Sequence, residues 1–189
     1  MFAVVFEVLP SASGYQRYLD IAAALRPKLE AIDGFLSVER FRSVHQPGGI
    51  LSLSLWRDHA ALVQWRGHGE HHAAQAEGRQ SIFDDYRIRV VHMGAPAEVP
   101  APEGRPLLGL QEYAATDSGG KLYQSLTDAA KHVALYDLSE DDAARTWQAH
   151  TATPAAAPAR ALCGPVLRDY GLFERQQAPQ RFPEKQRQR

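Results

Sequence analysis

The sequence has a single cysteine, Cys163, among 189 residues. An intrachain disulfide therefore cannot form, which is typical of proteins that work in a reducing cytoplasm. Neither sign of charge is in excess, because 21 Lys and Arg residues are balanced by 22 Asp and Glu residues. This balance argues against a general nucleic-acid surface. We therefore expect a cytoplasmic protein that does not bind nucleic acid.

Long apolar runs are also missing. The segment MFAVVFEVLP is apolar, but Glu7 interrupts it and no basic residues precede it. A membrane-spanning helix needs roughly 20 apolar residues, and a secretory signal begins with a basic region. The sequence also lacks zinc signatures, nucleotide-binding glycine patterns and nucleophile elbows. We therefore expect no membrane span and no metal site.

The sequence alternates between strand-like and helix-like patterns. Apolar residues recur at every second position in residues 2–9 and at helical spacing in residues 15–32. Further strands are predicted at residues 35–44, 50–56 and 82–92, and a second helix is predicted after the N-cap residue Asp58, kinked or broken near Gly67 and Gly69. The order β-α-β-β-α-β predicts an α+β protein built on the ferredoxin-like unit.

Residues 123–150 resemble residues 41–68 without a gap. The aligned pairs include Leu53 with Leu135, Trp65 with Trp147, and His68 with His150. Upstream, FAVVFEV resembles LLGLQEY after a deletion about as long as the first helix. The sequence therefore predicts two tandem units, the second without its first helix. The predicted units are residues 1–93 and 107–175, with a Pro- and Gly-rich linker at 94–106 and a polar tail at 176–189.

This duplication has a consequence for the fold. A sheet covered by helices on one face leaves its other apolar face exposed, and two such sheets packed face to face close into a barrel. One chain would then form an intrachain α/β-barrel pseudo-dimer with a mass near 20.9 kDa. A species of twice that mass would mean either that the units pair between chains or that closed barrels associate into a homodimer. The tail is predicted to be loose, the alternative being an arm that wraps a partner.

Three segments carry a family resemblance: GFLSVERFRSV, ILSLSLWRDHAALVQWRGHGEHHAAQAEGR and IFDDYRIRVV. They resemble the antibiotic biosynthesis monooxygenase family of dimeric α/β barrels over residues 2–92, and VLRDYGLFER resembles the end of a family domain. The resemblance implies cofactor-free oxygenation of an aromatic or quinol-like small molecule. In that chemistry the deprotonated substrate gives an electron to oxygen, while the protein holds and desolvates the anion.

A related branch of the family binds and degrades haem. For that branch the resemblance implies an asparagine on the first strand, a tryptophan in the second helix and a histidine later in that helix. Glu7 occupies the first position here, Trp65 fits the second, and Gln75 occupies the third. We therefore predict no cofactor. The haem alternative would require His71 or His72 to act from a shifted helix.

Glu7 and His71 are the candidate acid–base residues. Glu7 shares a strand face with Val5, so partial desolvation is expected to raise its pKa and make it a base. The alternative is an ion pair with an arginine such as Arg40. His71 would serve as a general base or as a hydrogen-bond donor to a phenolate. It is favoured over His68, whose recurrence in the second unit indicates a structural role.

The remaining candidates would bind the substrate. Trp65 is expected to form the wall of an aromatic-ligand cleft, with ordinary core packing as the alternative. His68 and His72 lie four residues apart and would share its helix face. Arg79 and Tyr86 would line or gate the cleft. Two other functions stay open: a non-catalytic binder of haem or another hydrophobic ligand, and a structural module that has lost activity.

Overall fold

A computed structural model describes residues 1–94, 105–113, 120–138, 160–182 and 185. The first half of the chain has the β-α-β-β-α-β order that the sequence predicts, except that its second helical stretch is divided into three pieces. The elements are β1 (Phe2–Pro10), α1 (Gly14–Glu30), β2 (Phe35–Ser43), β3 (Ile50–Trp56), α2 (His59–Arg66), α3 (Gly69–Glu77), a π-helix (Gly78–Ile82) and β4 (Phe83–His92).

Local signals in the sequence set several of these boundaries. The side chain of Asp58 accepts a hydrogen bond from the Ala61 N–H at 2.9 Å, which confirms it as the N-cap of α2. Gly67 ends α2 and Gly69 begins α3, so the predicted break is also confirmed. Gly48 has a φ of 77°, which the tight turn between β2 and β3 requires and which glycine adopts without strain.

Four more strands complete the sheet: β5 (Leu107–Tyr113), β6 (Lys121–Ser125), β7 (His132–Leu138) and β8 (Arg160–Gly171). All eight pair antiparallel in a closed barrel with the order β1-β3-β2-β6-β7-β5-β8-β4. The first half contributes β4-β1-β3-β2 and the second contributes β8-β5-β7-β6, so both halves have the same strand order. The pairs β2–β6 and β4–β8 join the halves, and one chain closes its own barrel as predicted.

The barrel interior is an apolar core to which both halves contribute. Its buried residues are Ala3, Val5, Phe41, Leu51, Leu53, Leu55, Val91, Met93, Leu108, Leu110, Tyr123, Val133, Leu135, Leu162 and Val166. On β1 the alternate residues Val4, Phe6 and Val8 pack on the opposite side, against the helices. This alternation puts Glu7 on the barrel side of β1 and its neighbour Phe6 on the helix side.

Some predictions fall outside the described residues. These are the second-unit helix with Trp147 and His150, residues 115–119 of the short link ATDSGG that is expected to replace the first helix of the second unit, and residues 95–104 of the linker. Gly94 itself pairs with Cys163 in an isolated bridge, so the barrel extends one residue into the predicted linker. Within the described ranges, no helix is long and apolar enough to cross a membrane.

The first part of the predicted tail, residues 176–182, packs against the first half of the chain. The side-chain amide of Gln180 donates a hydrogen bond to the Arg66 carbonyl at 3.1 Å. The ring of Phe182 stacks on His72 with centroids 5.1 Å apart. The expectation of a loose tail is therefore wrong for this part, because its few apolar and amide groups find partners on α2 and α3.

Candidate active site

A cavity of about 200 Å³ lies between the outer face of the sheet and helices α1, α2 and α3. Two neighbouring rows of side chains form its floor, and both cross β2, β3, β1, β4 and β8 in register. One row consists of Val38, Ser54, Val4, Val90 and Arg168, and the other of Arg40, Ser52, Phe6, Ile88 and Tyr170. Because the rows are two residues apart on every strand, both face the helices.

The helices supply the walls. Residues that recur at helical spacing on α1 face the sheet, and short segments of α2 and α3 close the opposite side. The wall residues include Tyr18, Ile21, Leu25, Leu62, Trp65, His71, Ala74 and Gln75. Most of this lining is apolar, so a ligand with an apolar body would lose its water on entering.

Trp65 and His71 contact each other in the wall of the cavity. Their rings stack with centroids 4.4 Å apart and an interplanar angle of 20°. The His71 Nδ1 lies 3.1 Å from the Trp65 carbonyl oxygen. A carbonyl oxygen can only accept, so the proton is on Nδ1 and Nε2 is the unprotonated nitrogen. Burial lowers the pKa of His71 to about 4, so the ring is neutral at pH 7.

The other two histidines of this segment do not reach the cavity. His68 is the N-cap residue of α3, and its ring lies 5.6 Å from the ring of Trp65 but does not line the cavity. His72 is exposed and stacks on Phe182. Of the three predicted histidines, the structure therefore brings only His71 to the cavity.

Arg79 and Tyr86 are buried beside the cavity and do not line it. Arg79 donates hydrogen bonds to the Tyr86 hydroxyl at 2.8 Å and to the Leu172 carbonyl at 3.3 Å. Arg175 donates to the same hydroxyl at 3.0 Å. A small space of about 40 Å³ adjoins these residues and shares Phe6 with the main cavity. The two residues thus fasten the end of β8 against β4 and support the cavity from outside.

Glu7 lies on the opposite face of the sheet from the cavity. Its carboxylate accepts hydrogen bonds from Arg89 at 2.6 Å, the Tyr123 hydroxyl at 2.8 Å and Lys121 at 3.1 Å. Burial alone would raise the pKa of Glu7, but these cations and the hydroxyl outweigh it and hold the pKa below its ordinary value. The expected raised pKa is wrong, because the sequence does not reveal partners from across the barrel. Arg40, the suggested partner, lies on the cavity side.

A second depression, of about 580 Å³, surrounds this end of the barrel. It is larger than the main cavity but more open and polar, with Glu7, Arg87 and Asp169 among its lining residues. Its two lining cations are already paired: Arg87 forms a two-bond ion pair with Asp169 at 2.6 and 2.9 Å, and Lys121 donates to Glu7 at 3.1 Å. The enclosed apolar cavity is therefore the better candidate for a ligand site.

Four arginines line the cavity, and the sequence analysis predicted none of them there: Arg26, Arg40, Arg66 and Arg168. The guanidinium of Arg40 lies 5.8 Å from the Tyr18 ring centroid, and its Nε is buried without a hydrogen-bond partner among the described residues. Strand alternation with Val38 could have placed Arg40 on this face. Arg168 could not have been found in this way, since it reaches the cavity only through the pairing of β4 with β8.

Metal and haem chemistry find little support in the residues of this site. No group of three His, Cys, Asp or Glu within the described ranges could hold a metal ion. Gln75 lines the cavity at the position where the haem-degrading branch would need a histidine, while Glu7 is on the other face of the sheet. Of the two shifted-helix alternatives, His72 stacks on Phe182 outside the cavity, and His71 lines a cavity of only about 200 Å³. These residues do not fit haem, and no step of the proposed chemistry uses it.

Comparisons with known proteins identify the family of this chain. The family model described as antibiotic biosynthesis monooxygenase matches residues 1–77. A protein of Pyricularia oryzae named jasmonate monooxygenase ABM is 32% identical over 212 residues, which cover 97% of this chain and 99% of the relative. The uncharacterized protein YqjZ of Bacillus subtilis is 34% identical over 95 residues, which cover 47% of this chain and 75% of the relative.

Two solved structures extend the comparison. The structure of PA3566 from Pseudomonas aeruginosa has a TM-score of 0.44 and 16% identity, covering 50% of this chain and 94% of its own. A Lactobacillus acidophilus structure has a TM-score of 0.45 and 9% identity, covering 88% of this chain and 92% of its own. The decisive likeness is the nearly full-length one to the Pyricularia protein. By that likeness, the chain belongs to the antibiotic biosynthesis monooxygenase family.

Proposed function

We propose that this protein is a cofactor-independent monooxygenase that acts on an aromatic or quinol-like small molecule in the cavity between the sheet and helices α1, α2 and α3. The observation that carries the proposal is the neutral His71 ring, which is fixed on Trp65 in an apolar wall. A flat substrate would lie against the same wall, because aromatic rings pack favourably on one another.

The size of the cavity limits the substrate. An apolar cavity of about 150 Å³ is enough to bind benzene. The cavity here, at about 200 Å³, is therefore suited to a small ring system and not to a long polyketide chain. Its walls exclude water from the bound ring, and this exclusion strengthens electrostatic interactions inside the cavity.

The first step of the proposed reaction is removal of a proton from the substrate. Nε2 of His71 is unprotonated and would accept the proton, giving an imidazolium and a substrate carbanion. A base with a pKa of about 4 is weak, so the substrate must itself be made more acidic. Arg40, whose buried Nε has no partner among the described residues, supplies positive charge that favours the substrate anion.

Oxygen then reacts with the anion directly. The carbanion gives one electron to O₂, and the resulting radical and superoxide join through a new C–O bond. Transfer of the second C–H proton to the distal oxygen breaks the O–O bond, leaves a ketone and releases hydroxide. The His71 imidazolium returns its proton to that hydroxide. Overall, a CH₂ group and O₂ become C=O and water, so no external reductant is needed.

Oxygen consumption tests the proposal. The purified protein would be assayed in an oxygen electrode with EDTA, using a panel of anthrones, hydroquinones and jasmonate, the last because the Pyricularia relative is named for it. We expect saturable uptake with at least one compound, with one ¹⁸O atom from ¹⁸O₂ in the product and one in water. Ligand binding with no uptake above autoxidation would support the non-catalytic binder instead.

We also propose that the chain arose by duplication of a ferredoxin-like unit, with residues 107–175 as a degenerate second copy. The identical strand order of the two halves supports this proposal. The three described α-helices all belong to the first half and enclose its cavity. We further propose that the protein is cytoplasmic and that closed barrels associate into a homodimer.

A further inference from the structure

The cavity carries positive charge that its own walls do not neutralise. Of the arginines lining it, Arg26 pairs with Glu30 at 2.7 Å. Arg40, Arg66 and Arg168 form no ion pair with any described residue. No Asp or Glu is among the described residues that line the cavity. An apolar space with this surplus of cations favours an anionic ligand.

Arg66 and Arg168 are close enough to act on each other. Arg66 ends α2 and Arg168 lies on β8, and both line the cavity, one from the helix side and one from the sheet. Burial and the charge of Arg168 both lower the pKa of Arg66. Two like charges in a partly desolvated place repel each other unless an anion lies between them. A carboxylate suits that role, because each guanidinium can donate two parallel hydrogen bonds to it.

The strand register of the cavity floor indicates where the apolar body of such a ligand would lie. Arg168 stands at the β8 edge, and Arg40 stands on the neighbouring row at the β2 edge. Four strand spacings separate these edges, which is roughly 19 Å along the sheet. Between them the floor presents Val4, Phe6 and Ile88. A carboxylate at the β8 edge therefore leaves an apolar surface for the body of the molecule.

We propose that the substrate class is a small ring compound bearing a carboxylate, and that Arg66 and Arg168 jointly bind this carboxylate. The inference rests on the proposed function only in assigning the ligand as a substrate. Binding of the anion itself requires no turnover. The permanent charge would select the substrate and fix its orientation before any proton is removed, while Arg40 at the far edge stays available for the anion that forms during reaction.

Calorimetric titration with two matched probes tests the inference. The probes are 2-naphthoate and its neutral analogue 2-naphthamide, which have the same rings and nearly the same shape. We expect the wild type to bind the naphthoate at least tenfold more tightly than the naphthamide. Arg66→Met and Arg168→Met keep side-chain volume but remove the charge, and each should remove most of that preference. Arg168→Lys should restore part of it.

Arg17→Met is the matched control, because Arg17 is exposed, does not line the cavity and is already paired with Glu77. It should keep the wild-type preference. Thermal unfolding followed by circular dichroism would establish that each variant is folded. Equal binding of the two probes, a preference that survives in both Met variants, or no binding of either probe would overturn the inference. Anion binding without oxygen uptake would instead uphold it and count against the monooxygenase proposal.

Discussion

Trp65 holds His71 in two ways at once. Its indole ring stacks on the imidazole ring with centroids 4.4 Å apart. Its backbone carbonyl oxygen accepts a hydrogen bond from the His71 Nδ1–H, with 3.1 Å between the oxygen and Nδ1. The stacking fixes the plane of the ring, and the hydrogen bond fixes which nitrogen lacks a proton. Both depend on the break at Gly67 and Gly69, which allows α3 to turn His71 back over the last turn of α2.

Trp65→Ala should remove part of one wall of the cavity and the stacking contact that orients the His71 ring. We expect affinity for 2-naphthoate to fall by at least tenfold, because the stacking surface is lost, while the barrel core stays intact. Val63→Ala is the control on the same helix, since Val63 is exposed. Titration calorimetry of the two variants measures the difference. Wild-type affinity in Trp65→Ala would show that the ligand binds elsewhere.

The stability of the protein should depend on the protonation of His71. Its pKa is about 4 in the folded state against 6.5 for an ordinary histidine, so the unfolded state binds more protons between these values. The free energy of unfolding therefore falls as the pH drops through this window. From pH 7 to pH 5 the loss from this residue is about 2 kcal/mol.

Urea unfolding at the two pH values measures this loss. In His71→Asn the amide can still donate to the Trp65 carbonyl but cannot be protonated, so the pH dependence should shrink by that amount. His72→Asn, at an exposed neighbouring position, should retain the wild-type dependence. If wild type and His71→Asn lose equal stability, the ring is not held neutral in the folded protein.

Glu7→Gln should lower the free energy of unfolding but leave oxygen uptake nearly unchanged. The Arg89 side chain is 1% exposed, and removing the Glu7 charge leaves it with only Asp137 as an acidic partner among the described residues. We expect a loss of about 2–4 kcal/mol in the free energy of unfolding at pH 7. Glu77→Gln, which breaks the exposed pair with Arg17, should have little effect.

Oxygen uptake by folded Glu7→Gln should remain within a few-fold of the wild type. A large fall in turnover with unchanged stability would contradict this and would make Glu7 a catalytic base despite its lowered pKa. Urea unfolding and the oxygen electrode together separate the two outcomes.

Haemin should not bind as a specific ligand. Gln75 replaces the histidine that the haem-degrading branch would use, and the cavity of about 200 Å³ is lined mainly by apolar side chains. Titration should therefore give no saturable Soret band at one haem per chain. A saturable band that disappears in His71→Asn or His72→Asn would instead establish haem binding.

Strand alternation and helical spacing were enough to predict the barrel. Val4, Phe6 and Val8 pack on the helix side of β1 as their period-two pattern indicates, and Asp58 caps α2 as its position before an apolar stretch indicates. These features depend on residues close together in the chain. The predicted duplication also entered this expectation, because two sheets must cover each other's apolar faces, but it did not indicate that the pairs β2–β6 and β4–β8 close the barrel.

The site was predicted less completely, because it depends on contacts between distant segments. Trp65 and His71 are six residues apart, and the structure brings both of them to the cavity. Glu7 binds Arg89 on the neighbouring strand β4 and Tyr123 on the distant strand β6, so its environment could not be deduced from β1 alone. Arg168 reaches the cavity by pairing with Val90, nearly eighty residues earlier, and no local pattern indicates that contact.

Oxygen uptake by His71→Asn, compared with His72→Asn, tests the central claim most directly. Both would be assayed with whichever compound of the panel the wild type consumes. We predict that His71→Asn loses about 10²–10⁴-fold in kcat, the range expected for a general base, and that His72→Asn remains close to the wild type. Turnover by His71→Asn at the wild-type rate would contradict the assignment of the cavity as the place where the reaction occurs.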